Sequence, residues 1–399
     1  MKIIYITSRF PTGTSEAFLE DEIEELKKRG HHIIVIPMIG TKRIRPEYDN
    51  PDASSAFFGL FHLKILFESI LQVAVSPCRC LYALLSVTRT RRASIFLKNL
   101  LVYPKGLWLA RLANSLKADH IHVHWASAPS SMALVACIVS GIPWSLTAHR
   151  WDIVENNLLA RKFQEASFIR FISINGLELA QKIIPDFKRL KAVVLHMGVH
   201  LPHHYKTTDI MSPPFVILCP ANLVPVKGHK YLFEAVAELC AKGFNIRLLL
   251  AGDGELRDQL ERYAKSLGIG EKCSFLGHVN HSQLLDFYSR GEVSIVVLPS
   301  VDLGKGLHEG IPVSLIEAMS YGVPVVSTKT GGIPELLNDV SELVPAADSH
   351  ALADAIAALL TDKAKYNLKR HLCRRRIEAD YDISSIVSEL ENKFQFFVN

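Results

Sequence analysis

Residues Pro299–Leu337 read PSVDLGKGLHEGIPVSLIEAMSYGVPVVSTKTGGIPELL. An apolar run, Val293–Leu298, leads into this stretch, a helix starts near Val313–Ser314, and a second apolar run follows at Pro324–Ser327. Strand, helix and strand in so short a span form a βαβ unit. Runs that are apolar throughout suit strands covered on both faces of a parallel sheet. Two glutamates punctuate the unit. Glu309 falls in the loop after the first strand, and Glu317, eight residues on, falls in the helix, with Gly310 and Pro312 between them. The N–H groups at a helix start lack intrahelical partners, so the position suits an anion such as a pyrophosphate. Carboxylates placed there accept hydrogen bonds from sugar or ribose hydroxyls, more strongly where water is excluded. The plainer alternative is that Glu317 only balances charge near a helix start.

The same alternation extends outward in both directions. Lys2–Thr7 reads as a strand, Ser8–Ser15 as a loop and Glu16–Arg29 as a helix stopped by Gly30; His32–Pro37 is the next strand. His120–His124, Trp144–Ala148, Phe168–Ile172 and Ala192–Leu195 are further short strands. The polar, proline-containing segment His200–Pro214 reads as a linker, after which Phe215–Pro220, Arg247–Ala251, Cys273–Leu276, Val293–Leu298 and Pro324–Ser327 form a second series. Two βα series predict an α/β protein of two facing Rossmann-like domains with a cleft between them. Ligands would sit beyond the carboxyl ends of the strands. A dinucleotide-binding dehydrogenase is the obvious competitor. However, Gly252-Asp253-Gly254 has Arg257 where the third glycine belongs, and the chain has no G-x-x-x-x-G-K-[ST] loop.

Composition narrows the class. The 399 residues are 49% hydrophobic and 21% charged, which fits two globular cores rather than one. Net charge is only +5, but its distribution is uneven. Between Ser69 and Lys117 there is no Asp or Glu against eight basic residues: Arg79, Arg89, Arg91, Arg92, Lys98, Lys105, Arg111 and Lys117. Either the arginines of an apolar helical insertion simply face water, or basic amphipathic helices lie on an anionic bilayer, and the charge asymmetry favours the second. No nucleic-acid recognition motif accompanies the charge. The seven cysteines lack metal-like spacing and read as reduced thiols of a cytoplasmic protein. The start of the chain runs straight into a strand pattern rather than a leader, and the apolar stretch Phe57–Val75 is broken by Lys64 and Glu68, so no spanning segment is expected.

The phrase EGIPVSLIEAMSYGVPVVST, with its E-x7-E pair, resembles the retaining glycosyltransferases of family 4, which have the GT-B fold. SRFPTGTSEAFLEDEIEEL (Ser8–Leu26) is similar to members that build exopolysaccharide or lipopolysaccharide. TAHRWDI (Thr147–Ile153), HMGV (His196–Val199) and NLVPVKGHKYLFEA also match in order and spacing. The likeness spans most of the chain outside roughly residues 45–115. It implies an acceptor domain over 1–205, with the basic apolar insertion at about 55–117, a donor domain over 206–379, and a final helix (380–399) returning to the first domain.

The resemblance also implies roles for particular residues. Glu317 would hold ribose hydroxyls, and Glu309 would contact the donor sugar with help from the N–H groups of Gly310 and Ile311. Lys227 would pair with the diphosphate, and the main chain around Gly277–Val279 would flank the base. His149 would point at the donor sugar or acceptor, and Gly13, Ser15, Glu16, His124 and Asp152 would line the acceptor side. His149, Glu309 and Lys227 are thus the catalytic candidates. The implied activity is transfer of a sugar from a nucleoside diphosphate sugar to a glycan or lipid-linked acceptor, without metal or other cofactor, at the inner face of the plasma membrane. One departure stands out. Where the family has Gly-Arg, this chain has Ala221-Asn222, which lacks the charge that Arg supplies to the donor site, and Lys305 is a candidate replacement. Epimerases of the same fold and a catalytically weak scaffold are the alternatives.

Other polar clusters have plainer readings. His120, His122 and His124 share one face of a strand but, with no carboxylate in attendance, suggest packing or acceptor contact rather than a metal. His31-His32, His203-His204 and the Lys369–Arg376 cluster read as solvated, and Asp253 as a turn residue.

Overall fold

The structure is a computed structural model that describes residues 1–11, 16, 19–40, 58–184, 191–206, 213–304 and 307–398. The chain divides into two compact units, Met1–Met197 with Ile383–Asn399, and Gly198–Asp382. The first contains β1 (Lys2–Thr7), α1 (Leu19–Lys28), β2 (His32–Pro37), α2 (Leu63–Val75), α3 (Pro77–Thr88), α4 (Ala93–Leu116), β3 (His120–His124), α5 (Ala128–Ser140), β4 (Trp144–Ala148), α6 (Arg150–Glu155), α7 (Leu159–Glu165), β5 (Ile169–Phe171), α8 (Ile174–Ile183) and β6 (Ala192–Val194). The second contains β7 (Phe215–Pro220), α9 (His229–Ala241), β8 (Ile246–Ala251), α10 (Arg257–Ser266), β9 (Cys273–Gly277), α11 (His281–Ser289), β10 (Ile295–Leu298), α12 (Val313–Ser320), β11 (Val325–Thr328), α13 (Ile333–Leu337), β12 (Glu342–Val344), α14 (Ser349–Thr361) and α15 (Lys363–Asp380). The last helix, α16 (Ile383–Val398), packs on α1 of the first unit.

Each unit has a six-stranded, all-parallel sheet, ordered β2-β1-β3-β4-β5-β6 and β12-β11-β10-β7-β8-β9. Strand order reverses between β1 and β3 in the first sheet and between β7 and β10 in the second. At such a switch point neighbouring loops diverge and leave a crevice at the strands' carboxyl ends. The central strands are buried as their composition demands. Ile295, Val296, Val297 and Leu298 of β10 have no exposed surface, and each such side chain contributes about 1.5–3 kcal/mol by leaving water. Local chemistry sets the helix ends. α1 carries Glu20, Asp21 and Glu22 in its first turn and Lys27 and Lys28 in its last, matching the helix dipole. Asn280 and Gln283 form a capping box on α11.

Three expectations need correction here. His31 is buried rather than solvated, because the return of α16 sets Glu391 3.1 Å from its ring. Lys105 is buried as well, its ammonium held by the carbonyls of Pro37, Met38 and Phe58, so it cannot serve a surface. The Lys369–Arg376 cluster ties down helix ends instead of facing only water. Arg374 donates to the Ser320 carbonyl closing α12, while Arg376 donates to Glu335 and Leu336 in the last turn of α13. Cations at carbonyl-rich helix C-termini are favourable on both counts.

Candidate active site

In the second unit, the loop after β7 carries Asn222 and Lys227, and the loop after β10 carries Glu309. These two loops flank the switch point, which is why residues 82 positions apart meet: Lys227 Nζ lies 2.5 Å from Glu309 Oε1, and both side chains are mostly but not wholly buried. The backbone makes this approach possible. Lys227 ends a 3-10 turn, Pro225–Lys227, and Gly228 follows with φ +65°, where an added Cβ would fall 2.0 Å from the Pro299 carbonyl oxygen. Gly331, at φ +57°, likewise packs where a Cβ would sit 1.9 Å from the Glu309 carbonyl oxygen. Any other residue at either position would push the loops apart. The N–H of Val301 donates to the Val226 carbonyl at 2.9 Å and joins the two loops directly.

Glu317 is the fifth residue of α12, beyond the first turn, so balancing charge at the helix start does not account for it. Its Oε1 lies 2.9 Å from Nε2 of His281, at the start of α11, a neighbour with no signal in the sequence. Gly310 and Ile311 lie between Glu309 and the start of α12. Asn222 is exposed at the end of β7, while Gly277, at φ +67°, ends β9 and pairs with Gly252, with Val279 two residues on. Lys305 lies outside the described residues.

In the first unit, Glu16 stands at the other switch point. Its carboxylate accepts from the backbone N–H groups of Ser8, Arg9 and Phe10 and from the Trp125 indole, joining the loops after β1 and β3. Gly13 and Ser15 lie outside the described residues. His149 follows β4 and is buried, stacked on Trp125 at 4.1 Å, with its Nε2 3.2 Å from Nδ1 of His124. Asp152, on α6, accepts from the N–H of Ala126, and burial pushes its pKa up to about 8 against these hydrogen bonds. Asp152 therefore shapes the loop after β3.

The histidine face of β3 is not at a solvated edge. Ser145 and Thr147 of β4 meet both ring nitrogens of His122, Ser145 also meets Nε2 of His120, and a carboxylate does accompany the row, contrary to expectation. Glu22 of α1 accepts from the Tyr5 hydroxyl and lies 3.2 Å from Nε2 of His124, while its other oxygen is 2.5 Å from Nη1 of Arg170. Glu22, His122 and His124 could in principle group around a cation. Yet Arg170 already neutralises Glu22, and Ser145 and Thr147 occupy both nitrogens of His122, so the donor set is spent on protein partners. Both charges carried a sequence signal: Glu22 falls on the apolar Leu19–Ile23–Leu26 face of α1, and Arg170 interrupts a doubly covered strand.

Residues 205–379 match the family model described as Glycosyl transferases group 1. The putative colanic acid biosynthesis glycosyltransferase WcaL of Escherichia coli is 35% identical over 218 residues, covering 52% of this chain and 52% of that protein. The amylovoran biosynthesis glycosyltransferase AmsK of Erwinia amylovora is 31% identical, covering 48% and 47%. The chain thus spans about half the length of the curated relatives it matches. Among solved structures, a Rickettsia africae glycosyltransferase superposes with a TM-score of 0.69 at 16% identity, covering 100% of this chain and 98% of that one. Anabaena Alr3699/HepE in complex with UDP-glucose gives 0.68 at 17%, covering 99% of each. The fold is α/β, two parallel-sheet Rossmann-like halves with GT-B neighbours.

Proposed function

We propose that this protein is a retaining glycosyltransferase that moves a sugar from a nucleoside diphosphate sugar to a hydroxyl of a glycan or lipid-linked glycan in cell-surface polysaccharide biosynthesis. The observation that carries the reading is the Lys227–Glu309 pair at the β7/β10 switch point, inside the segment that matches group 1 transferases. The polysaccharide names of WcaL and AmsK, and the UDP-glucose bound by a protein of the same fold, support the acceptor and donor classes. A diphosphate carries more charge than one carboxylate and competes for Lys227, which then stabilises the leaving nucleotide as negative charge builds on it. Glu309, released, accepts from the donor sugar's hydroxyls beside the N–H groups of Gly310 and Ile311. Glu317 takes the ribose hydroxyls, Asn222 donates to the phosphates, and the chain from Gly277 to Val279 borders the base. The acceptor attacks on the face the leaving group departs from, and the departing phosphate takes its proton. No protein nucleophile and no metal are needed.

The direct test is nucleotide release from UDP-, GDP- and ADP-sugars with and without a lipid-linked acceptor. Acceptor-dependent release is expected. An epimerised sugar nucleotide formed without acceptor, or binding without turnover, overturns the reading. A Glu317→Gln variant should bind the donor nucleotide roughly tenfold to a hundredfold more weakly by calorimetry, as expected for loss of a charged hydrogen-bond acceptor costing about 1.5–3 kcal/mol. Unchanged affinity for every nucleotide would remove Glu317 from the ribose site.

The setting we infer is the cytoplasmic face of an anionic membrane, and the carrying feature is an inverted helix surface. On α2 the polar Ser69 and Gln72 point inward, while Leu63, Phe67 and Ile70 are 82%, 62% and 69% exposed. On α4 Asn99 is buried against the Val87 carbonyl and Asn157, and Phe96, Leu97 and Leu100 face out. Arg89, Arg91 and Arg92 are exposed in the turn between α3 and α4, where Arg92 donates to the Glu155 carbonyl. Among the described residues no single helix is long and apolar enough to cross a membrane, whereas α2 and α3, bent by 116° at the break between them, reach that length and composition as a pair. Because the polar side of α2 is held on α4, with Ser69 donating to the Pro104 carbonyl, we infer that the element lies in the interface. In flotation assays, anionic vesicles should carry the protein, and salt should release only part of it, since each basic residue contributes roughly 1 kcal/mol and the apolar face is unscreened. An Arg89/Arg91/Arg92→Glu variant should lose the salt-sensitive part. Equal partitioning to neutral and anionic vesicles, or none to either, refutes the reading.

A further inference from the structure

The buried charges of the first unit form a connected chain that ends on His149. Arg170 donates from Nη1 to Glu22 Oε2 at 2.5 Å, while its Nε and Nη2 donate to the Leu195 and His196 carbonyls at 2.9 and 2.6 Å. An arginine so held keeps its partner an ionised carboxylate, which can only accept. Glu22 Oε1 is therefore an acceptor for both the Tyr5 hydroxyl and Nε2 of His124. The proton on His124 must lie on Nε2, which also sits 2.9 Å from the Tyr5 oxygen. In a neutral ring that leaves Nδ1 of His124 bare, and the atom 3.2 Å from it, Nε2 of His149, must be the donor.

We propose that Glu22, acting through His124, is a positioning residue that holds His149 as the neutral Nε2–H tautomer, making Nδ1 the ring's hydrogen-bond acceptor. A ring fixed this way accepts at Nδ1 and cannot donate from it. The logic is that of a buried carboxylate orienting an imidazole, with a second histidine inserted between the two. Burial holds both rings neutral, pushing His149 well below the usual histidine range and lowering His124, whose proximity to Glu22 only partly offsets the effect. Among the described residues, the charged and titratable groups facing the pair include Glu22, Arg170, Tyr5, His122 and Glu16. The stack of His149 on Trp125, whose indole is tied to Glu16, fixes the ring plane.

The first test needs no variant of the network. In the full chain labelled with ¹⁵N-histidine, and with a His149→Phe protein for assignment, two-bond ¹H–¹⁵N spectra should show His149 with Nε2 protonated and Nδ1 bare from pH 6 to pH 8. A signal from the Nδ1–H form, or from a doubly protonated ring, overturns the proposal. Glu22 variants could fail to fold, so the link is tested at His124. In His124→Leu the tautomer should become mixed and kcat should fall at least tenfold with little change in donor KM. In His124→Asn, whose amide oxygen can still accept from His149, both should largely recover. An unmixed Nε2–H tautomer in His124→Leu would show that His124 is not the lock. The kinetic arm rests on the transfer reaction proposed above, whereas the tautomer does not. A fixed tautomer in a protein without transferase activity sinks only the reaction, and lost activity with an unchanged tautomer sinks only the relay.

Discussion

Lys227→Ala should lower sugar transfer by about two to three orders of magnitude, the loss measured when one preorganised donor to a developing negative charge is removed. The variant should remain folded, because the Lys227–Glu309 pair borders solvent and such pairs contribute little to stability. Donor affinity should fall less than turnover, since the diphosphate carries more charge in the transition state than in the bound donor. Asn222→Arg should act in the opposite sense, tightening donor binding or raising kcat by adding a fork of donors at the exposed end of β7. Initial rates across a donor series, with melting curves as controls, give both results. A fully active Lys227→Ala protein would mean that the diphosphate binds elsewhere.

Arg170→Met should destabilise the first unit by about 3–5 kcal/mol at neutral pH, because it leaves the Glu22 carboxylate buried without its cation. The pH dependence identifies the cause. Burial alone would raise the Glu22 pKa, but Arg170 first, then His124 and Tyr5, override it and hold the carboxyl well below its ordinary value. In the wild-type protein the stabilisation from Glu22 is therefore complete above the ordinary glutamate range and is lost as pH falls through it towards the depressed value. Without Arg170 burial dominates, the folded-state pKa rises above the unfolded one, and protonation on acidification relieves the strain. The stability difference between the two proteins should be largest near pH 7.5 and should narrow towards pH 5. All four tryptophans (Trp108, Trp125, Trp144 and Trp151) belong to the first unit, so urea unfolding followed by their fluorescence reports on it directly. A pH-independent difference would assign the loss to packing rather than to charge.

Much of this protein was legible in one dimension. Short strands apolar on both faces, alternating with helical periods, dictate parallel sheets, and Pro299–Leu337 marks Glu309 and Glu317 because glycine and proline punctuate its loop visibly. Those signals are local: periodicity, helix starts and turn residues act within a few positions of the chain. What the sequence left open depends on which faces meet. The row His120, His122 and His124 shows no carboxylate partner in the sequence, but Glu22 of α1 and Phe394 of α16 cover it, and the latter arrives only when the last helix returns. Glu22 and Arg170 are 148 residues apart and join through the order of strands, not through any spacing. The outward apolar face of α2 was hidden for a related reason. Hydrophobic periodicity locates a helix's apolar stripe but carries no sign for inside or outside, and only packing against α4 decided that Ser69 and Gln72 go in while Leu63, Phe67 and Ile70 stay out.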